Sequence, residues 1–566
     1  MTTRRTGIWS VMALLAIASL LISACSGAPT GQSTTTGGTT QSQADPNGEI
    51  TLNTGSEPDT IDPQKSSFVN EIAQAAFVFE GLMTFDPKTT KPVPAAAAAA
   101  PKVSSDGKTY TYTVKDGLKY SDGTPLTAKN FEYGFLRGCD PNAAGDYAFV
   151  LYIVVGCEAW NTMDTKKATP AELAAAKAKV GIKATSDKDI QFTLTDAAPY
   201  FVPISALWIG WPVRESDVQK GGDKWTEPAT YIGNGPYKLS EWKHNEKMVY
   251  ERNDNYRKKI QIKKVTKVMI NESAVAFAAY RNNELDIVGV GPTDLRTVEG
   301  DADLKAQMVD TGGSCTFYYG FNVRRPPFDD VNVRMAFSKS FDRNAFVKDV
   351  QQGLGKAADG GFILPGFPGY DNTDDTQKYD VAAAKALLDK ASPASKAGLT
   401  GLKYTFGSSA TNKARAEWAQ GQWKTNLGVS IELDPVQSTA YSALFKKGQD
   451  SPQLFFLGWC ADFPDQQNWH STVWATGGVS AARTGYSSKS FDELTKQADK
   501  EADSKKRDDL YNQAGKQLSK DAPAAWVFYE SGKRLQKPWL KGIVANPIDY
   551  GIPGYFALEE LYVVKH

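Results

Sequence analysis

"LFFLGWCADFPDQQNW", residues 454–469, places a cysteine and an aspartate inside a strongly apolar and aromatic run. A lone carboxylate in such surroundings is costly to bury unless something compensates its charge. Asp462 therefore has four candidate roles: a catalytic acid, a metal ligand, a structural salt-bridge partner, or an anchor for the positive charge of a ligand. The rest of the chain has to decide among these roles.

The amino end indicates the compartment. Arg4 and Arg5 precede an apolar run of about 15 residues, and small residues then lead to Cys25. Such a run is short for a bilayer core of about 30 Å. "ISAC" resembles the bacterial lipobox, whose cysteine thiol receives a diacylglycerol, so residues 1–25 are predicted to be a signal peptide with a lipid anchor at Cys25. Residues 26–47 are rich in Ser, Thr, Gly and Gln and are predicted to be a disordered tether. The folded body is expected at the extracytoplasmic face of the bacterial cell membrane.

The composition of the body excludes several classes of function. Lys and Arg total 64 and so do Asp and Glu, so the net charge is zero. Such a balance offers no basic surface for nucleic acid or for an anionic membrane. The three histidines are scattered along the chain, so no histidine-based metal site is expected, and no cofactor is predicted.

Four cysteines remain after Cys25, namely Cys139, Cys157, Cys315 and Cys460. An even number outside the cytoplasm is typical of disulfides. Four cysteines allow three pairings, and buried free thiols are the alternative. Pairing Cys139 with Cys157 would close a short loop worth about 3 kcal/mol, and pairing Cys315 with Cys460 a long one worth about 5 kcal/mol.

Local patterns predict a mixed α/β fold. "TYTYTV" (Thr109–Val114) alternates between two Asp-Gly turns and is typical of a half-buried strand. Thr169 and Glu172, with Pro170 between them, predict a capping box at a helix start, and Ser490 with Glu493 predicts another. No long linker separates the elements, so the chain is expected to pass between domains several times.

Signatures of enzymes are absent from the sequence. There is no P-loop, no G-x-S-x-G, no H-E-x-x-H and no Cys-x-x-Cys. "GNGPYK" (Gly233–Lys238) lacks the third glycine of a dinucleotide fingerprint and is better interpreted as a turn entering a strand. We therefore predict a binding protein rather than an enzyme.

Several segments, in order, resemble one family, the peptide-binding lipoproteins of bacterial ABC importers (extracellular solute-binding proteins, family 5). The resemblance runs from about Ile50 to His566. It rests on "SEPDTIDPQ" (56–64), "FEGLMTFDP" (79–87), "DGLKYSDGTPLTAKNF" (116–131), "GNGPYKLSEW" (233–242), "NVRRPPFDDVNVRMAFSKSFDR" (322–343), "GWCADF" (458–463) and the closing "LYVVKH".

The resemblance implies an α/β, two-lobe "flytrap" fold with a small extra domain. Lobe I would comprise residues 48–86, 214–314 and 536–566, the small domain 87–213, and lobe II 315–535. A monomer would enclose an oligopeptide between hinged lobes and deliver it to the ABC-importer permease subunits in the membrane. Because peptide touches both lobes only when they close, its binding would shift the population to the closed form.

The resemblance also assigns residues to the ligand. Asp462 matches the family's amine-binding aspartate, and Gly458 and Cys460 match residues that pair with the peptide backbone. Trp459 stands in the same motif, with a plain core role as the alternative. Facing backbone would come from Ser67–Val69, and Tyr147 matches an aromatic residue that closes over the ligand.

Two further assignments follow from the resemblance. Its disulfide joins Cys460 to a cysteine just before "YYGFN", here Cys315, which would hold the strand that presents Asp462 and leave Cys139 to pair with Cys157. Asp342 and Arg343 match a family motif that we interpret as a structural ion pair at a helix end.

Because the chain departs from the family at several positions, no residue is assigned to bind the ligand carboxylate. Phe456 stands where the short-peptide binder has an arginine, Asn412 where it has a histidine, Ser67 where it has an acid, and Glu530 where it has a tyrosine. Three alternatives stay open: a longer or basic peptide, another amine-bearing solute such as an opine, a metal chelate or a sugar, and a role as a peptide-signal receptor. The retained Asp462 favours a primary amine on the ligand.

Overall fold

The computed structural model describes residues 44–446, 448, 450–549 and 553–565. These residues form several β-sheets surrounded by helices, so the predicted mixed α/β class is confirmed. The predicted signal peptide, Cys25 and most of the predicted tether lie outside the described residues. The division into three domains stays a prediction.

The larger of the two main sheets, called the seven-stranded sheet below, gathers strands from distant parts of the chain. Glu49–Asn53 lies at its centre and pairs in parallel with Lys264–Val268 and with Ile287–Gly289. The predicted lobe boundary between residues 535 and 536 falls within one of its strands. The order is Met308–Thr311, Gly532–Gln536, Ile287–Gly289, Glu49–Asn53, Lys264–Val268, Lys247–Arg252 and Tyr237–Lys243.

The other main sheet, called the six-stranded sheet below, contains the stretch that opened the sequence analysis. Leu454–Cys460 pairs antiparallel with Cys315–Phe321 over its full length, and Cys460 lies opposite Cys315. Near-continuous apolar runs fit strands that are covered on both faces. The order is Lys356–Ala357, Ala524–Tyr529, Cys315–Phe321, Leu454–Cys460, Lys403–Gly407 and Glu432–Val436.

Both disulfides join the cysteines that the sequence paired. Cys315 and Cys460 tie two neighbouring strands of the six-stranded sheet together, with Cα atoms 3.9 Å apart. Cys139 and Cys157 tie the end of helix Ala128–Cys139 to the start of helix Cys157–Asn161. Each bridge therefore fastens two elements that already pack together.

A smaller sheet confirms the predicted strand in "TYTYTV". Thr109–Thr113 pairs with Asp189–Thr193 and with Lys102–Val103, and Ile182–Ala184 completes four strands. Its buried positions alternate, as the sequence pattern requires. Two strand pairs stand apart: Met83–Phe85 with Pro92–Pro94, and Leu540–Lys541 with Tyr562–Val563.

Helices fill the spaces between and around the sheets. In the described part of the chain, no helix has both the length and the apolar composition that a bilayer span requires. The α-helices are Val69–Val78, Ala128–Cys139, Cys157–Asn161, Pro170–Lys177, Phe201–Ile204, Glu215–Gly221, Ser273–Arg281, Pro292–Gly300, Ala302–Gln307, Val331–Lys339, Arg343–Asp349, Val381–Lys390, Pro393–Ala397, Ala410–Leu427, Ser438–Ala443, Gln466–Trp469, Ser471–Trp474, Val479–Thr484, Lys489–Lys500 and Ser504–Asp521. The 3₁₀ helices are Ala148–Leu151, Trp208–Gly210, Gly222–Lys224 and Tyr555–Glu560.

One predicted capping box is confirmed and the other is wrong. Thr169 and Glu172 bond reciprocally at the start of Pro170–Lys177. The helix Lys489–Lys500 instead begins before Ser490, and its N-cap is Ser488, whose backbone is extended (φ −140°). Ser490 already has helical backbone and cannot act as the cap.

Two other predictions need correction. Asp342 caps helix Arg343–Asp349 by accepting from the Ala345 amide, but Arg343 forms no ion pair with it. Arg343 is fully buried and donates to backbone carbonyls, that of Trp526 among them, because those carbonyls lie within its reach. The predicted tether also ends too late, since the Asp45 amide already donates to the Val563 carbonyl at 2.7 Å.

Candidate ligand-binding site

A cavity of about 460 Å³ lies between the seven-stranded and six-stranded sheets. Leu52 and Ile72 line it from one side, and Cys460, Ala461 and Asp462 from the other. The volume falls in the range of about 300–1,000 Å³ that is usual for small-ligand sites. A molecule in this cavity would touch segments that are far apart in the sequence.

Asp462 lies on the cavity wall two residues after strand Leu454–Cys460 ends. Its side chain is 7% exposed. Its Oδ2 accepts hydrogen bonds from Asn468 Nδ2 at 2.9 Å and from Tyr147 Oη at 3.3 Å. Its amide donates to Asn468 Oδ1 at 3.0 Å, so the carboxylate is held in a defined position.

This carboxylate has no compensating cation among the residues that the structure describes. Nearby Asp465, by contrast, pairs with Arg507 at 2.7 Å. Burial raises the pKa of Asp462 to about 7, although the bonds from Asn468 and Tyr147 oppose that rise. In the described part of the chain no cluster of metal-ligating side chains surrounds it either. The geometry therefore disfavours the roles of salt-bridge partner and metal ligand.

Tyr147 contacts the Asp462 carboxylate directly, and Trp459 contacts it through Asn468. Their rings stack with centroids 6.4 Å apart and planes 6° apart, and Tyr147 also packs on Trp208. Trp459 Nε1 donates to Asn468 Oδ1 at 3.3 Å. Trp208 lines the cavity, whereas Trp459 is 5% exposed and packs in the core. Trp459 thus contacts both partners of Asp462, and its predicted contact with ligand stays a prediction.

One edge of strand Leu454–Cys460 stays open beside the cavity. In the described structure, Lys403–Gly407 pairs with Leu454 and Phe455, and no strand continues that pairing to Cys460. The Ala461 amide donates to Ser314 on the side of Cys315–Phe321. Backbone groups alternate in direction along a strand. The N–H and C=O groups of Gly458 and Cys460 therefore face the open side, as a peptide-pairing role requires.

The facing segment, Ser67–Val69, is the start of a helix. The Ser67 and Phe68 amides donate to Glu71 Oε2 at 2.7 and 3.1 Å. Val69 is the first residue of helix Val69–Val78, is 40% exposed and lines the cavity. Ser67 and Phe68 thus have their amides occupied, and Val69 is the member of the segment that meets the cavity.

Charged side chains connect the two walls of the cavity near Ser67–Val69. Lys446 Nζ reaches Asp59 Oδ2 at 3.1 Å and Glu71 Oε1 at 3.8 Å. The Arg483 guanidinium lies 5.6 Å from the Phe68 ring centroid. These charged contacts are in place in the arrangement described here, so the two walls of the cavity are held close together.

The positions that depart from the family have other surroundings. Phe456 packs in an aromatic cluster, stacked on Phe317 at 5.8 Å. Arg415 covers its ring at 5.5 Å and donates to Asn412 Oδ1 at 3.3 Å. Glu530 lines the cavity, accepts from the Ser314 amide at 3.0 Å and has a pKa raised by burial. Phe456 and Asn412 therefore offer the ligand no charge of their own.

Sequence reasoning missed four charged residues on the cavity wall: Lys267, Lys533, Arg534 and Asp549. All but Lys533 are less than 10% exposed. A signal for Lys267 exists in "KVTKV", where strand alternation places it on the same face as the buried Val265. Arg534 and Asp549 carry no comparable local signal.

Comparison with known proteins matches residues 91–481 to the model of "Bacterial extracellular solute-binding proteins, family 5 Middle". The chain is 31% identical to the oligopeptide-binding protein OppA of Bacillus subtilis, covering 95% of this chain and 96% of that protein. It is 33% identical to the dipeptide-binding protein DppE of the same organism, covering 88% and 90%.

A solved structure agrees with the fold. The Escherichia coli murein tripeptide binding protein MppA superposes with a TM-score of 0.82 at 27% identity, covering 92% of this chain and all of that one. The unliganded open form of MppA superposes with a TM-score of 0.63, so the arrangement described here differs from that open form. The predicted two-lobe binding-protein fold is confirmed, and the family is one of solute-binding proteins rather than enzymes. The chain belongs to family 5 of the bacterial extracellular solute-binding proteins.

Proposed function

We propose that this protein is an extracytoplasmic receptor that captures oligopeptides with a free amino terminus between its two lobes and delivers them to an ABC-importer permease. The observation that carries the proposal is Asp462. It is a buried carboxylate on a cavity wall, oriented by Asn468 and Tyr147 and without a cation among the described residues. A ligand ammonium would complete this arrangement with a charge-assisted hydrogen bond.

The open strand edge beside Asp462 explains how unlike peptides would share one site. A peptide that adds to the edge at Gly458 and Cys460 is held by main-chain hydrogen bonds, which do not depend on its side chains. Relatives named for binding oligopeptides and dipeptides support the same class of ligand. The amino terminus of the peptide would lie at Asp462, just beyond the end of strand Leu454–Cys460.

The anchoring and the partners belong to the same proposal. Acylated Cys25 would hold the body at the outer face of the cell membrane, and residues beyond it would act as the tether to a folded monomer. Closure around peptide would present both lobes to the permease. The recognised surface would then exist chiefly in the liganded protein.

The test compares peptides that differ at the amine alone. The full chain, purified in detergent, is mixed with pools of tri- to pentapeptides and with the same pools N-acetylated, and the gain in Tm and the bound masses are measured. We expect the free-amine pools to raise Tm and the acetylated pools to lose most of that gain. Equal binding of both pools would overturn the role of Asp462.

The same samples distinguish other ligands. Native mass spectrometry of the protein as purified identifies any solute that it retains. A retained opine, chelate or sugar, together with no response to any peptide pool, would overturn the peptide assignment while leaving the family unchanged.

A further inference from the structure

Strand Lys264–Val268 carries a charged residue where its packing requires an apolar one. Val265 and Lys267 lie on the same face and are 1% and 3% exposed. The Lys267 ammonium lies 5.4 Å from the ring centroid of Phe77, on helix Val69–Val78. A lysine that breaks the pattern of a buried strand is a place to look for function.

Lys267 differs from the other buried basic residues because, in the described part of the chain, its ammonium has no hydrogen-bond or ion-pair partner. Arg137 pairs with Asp62 at 2.6 Å, and Lys537 donates to Asn283 Oδ1 at 2.5 Å. Within the described residues, no acceptor lies within hydrogen-bonding or salt-bridge distance of Lys267 Nζ. Burial alone lowers its pKa, to about 7. A lone buried amine lowers stability by several kcal/mol, so stability does not account for this residue.

The strand register places Lys267 on the cavity side of the seven-stranded sheet. Lys267 pairs with Leu52, Leu52 with Ile287, and Gly289 with Arg534. Paired residues share a face, and these five all line the cavity. The unpartnered ammonium thus lies on the wall of the same space that contains Asp462.

Three other cations in or near the cavity are poorer candidates for binding an anion. Lys533 lines the cavity but pairs with Asp310 at 2.6 Å. Arg534 lies three strands away, roughly 14 Å at about 4.8 Å per strand, and Asp549 supports its charge. Arg415 is covered by the rings of Phe456 and Phe528, donates to Asn412 and Gln351, and is not part of the cavity wall. Among the described residues, Lys267 is therefore the cavity-lining cation without a counter-charge.

The cavity has complementary deficits on its two walls. Among the described residues, Asp462 lacks a cation on the wall of the six-stranded sheet, and Lys267 lacks an anion on the wall of the seven-stranded sheet. We propose that Lys267 binds a carboxylate of the peptide whose ammonium meets Asp462. This assignment rests on the proposed function, and the carboxylate is either the peptide's carboxyl terminus or an acidic side chain.

The experiment varies the carboxylate while the amine is kept. Tri- to pentapeptide pools are made as free acids, as carboxyl-terminal amides, and as amides with Gln and Asn in place of Glu and Asp. Affinities are measured by calorimetry for the wild type and for Lys267→Met, which keeps chain length and apolar bulk. Lys537→Met is the matched control, since Lys537 is also buried and lies over a ring but does not line the cavity.

The wild type and Lys537→Met should bind carboxylate-bearing pools at least about tenfold more tightly than pools without any carboxylate. Lys267→Met should lose that preference, to within about twofold, while it still rejects N-acetylated pools. If amidation alone removes the preference, the carboxyl terminus is the ligand group; if the Gln/Asn exchange is also needed, acidic side chains contribute.

Thermal unfolding checks the fold of each variant, and Lys267→Met should melt at or above the wild-type temperature because it removes a lone buried amine. A folded Lys267→Met protein that keeps the full carboxylate preference would overturn the assignment. Failure of every pool to bind the wild type would instead overturn the peptide ligand itself, and this assignment with it.

Discussion

The two walls of the cavity present buried charges in opposite ways. Asp462 is held by a tyrosine, an asparagine and a strand that a disulfide ties to its neighbour. Lys267 lies over the ring of Phe77 and beside Leu52 of the neighbouring strand, without a polar partner among the described residues. One wall is built to orient a charge, whereas the other provides a charge without fixing its direction. The amine end of a ligand should therefore be recognised more strictly than its acidic end.

The largest expected effect is on the covalent support of the Asp462 wall. Replacing both Cys315 and Cys460 with serine opens a loop of sequence separation 145, which should lower the free energy of unfolding by about 5 kcal/mol. Urea denaturation measures the change. Serines at Cys139 and Cys157, with separation 18, are the matched control and should cost about 3 kcal/mol. Equal losses would show that loop length does not govern the difference.

Asp462→Asn should abolish the strict recognition of the ligand's amine. The ammonium of a bound peptide would then be buried without its anion, which costs about 3–5 kcal/mol, or more than a hundredfold in affinity. Calorimetry with free-amine peptide pools measures the loss. Asp499→Asn is the control, because Asp499 also accepts from a tyrosine and a serine and has a pKa raised by burial, to about 6, but lies outside the cavity. A tenfold loss or less in Asp462→Asn would contradict the assigned role.

Affinity should depend on pH through Asp462. Burial raises its pKa to about 7 in the empty protein, and an ammonium binds the ionised form. Below pH 7 the site must first lose a proton, so affinity should fall by up to about tenfold per pH unit. The same raised pKa means that this group stabilises the empty fold at low pH and ceases to do so as pH rises through 7. Calorimetry between pH 5 and 7.5 with amidated peptides free of Glu and Asp, which give Lys267 no carboxylate to bind, should show the decline in the wild type and little of it in Asp462→Asn.

Tyr147→Phe should have the smallest effect. It removes one hydrogen bond to Asp462, worth about 0.5–1.5 kcal/mol, and keeps the ring that stacks on Trp459. Affinity for free-amine pools should fall about two- to tenfold, with the rejection of N-acetylated pools retained. Tyr112→Phe, which removes a buried hydroxyl from the small sheet, should leave affinity unchanged. Loss of amine selectivity in Tyr147→Phe would mean that the hydroxyl, and not the carboxylate, is the main anchor.

Much of the Asp462 wall could be predicted from the sequence because its parts are close together in the chain. Gly458, Cys460, Asp462 and Asn468 lie within eleven residues, on one strand, the connection after it and the short helix that follows. The strand alternation that directs Gly458 and Cys460 to the open edge follows from local backbone geometry alone. The surroundings of Trp459 could not be predicted in this way, because its stacking partner Tyr147 lies far away in the chain.

The sequence by itself determined the α/β class, the family, the disulfide pairs and the acid at the end of the central strand, because each rests on local pattern or on ordered motifs. Tertiary structure decided that, within the described residues, Asp462 has no cation and Lys267 has no anion. Those facts depend on contacts with Tyr147, Phe77 and Leu52, which lie about 190 to 315 positions away in the chain. Whether a buried charge is compensated depends on the whole packed neighbourhood, and no short stretch of sequence contains it.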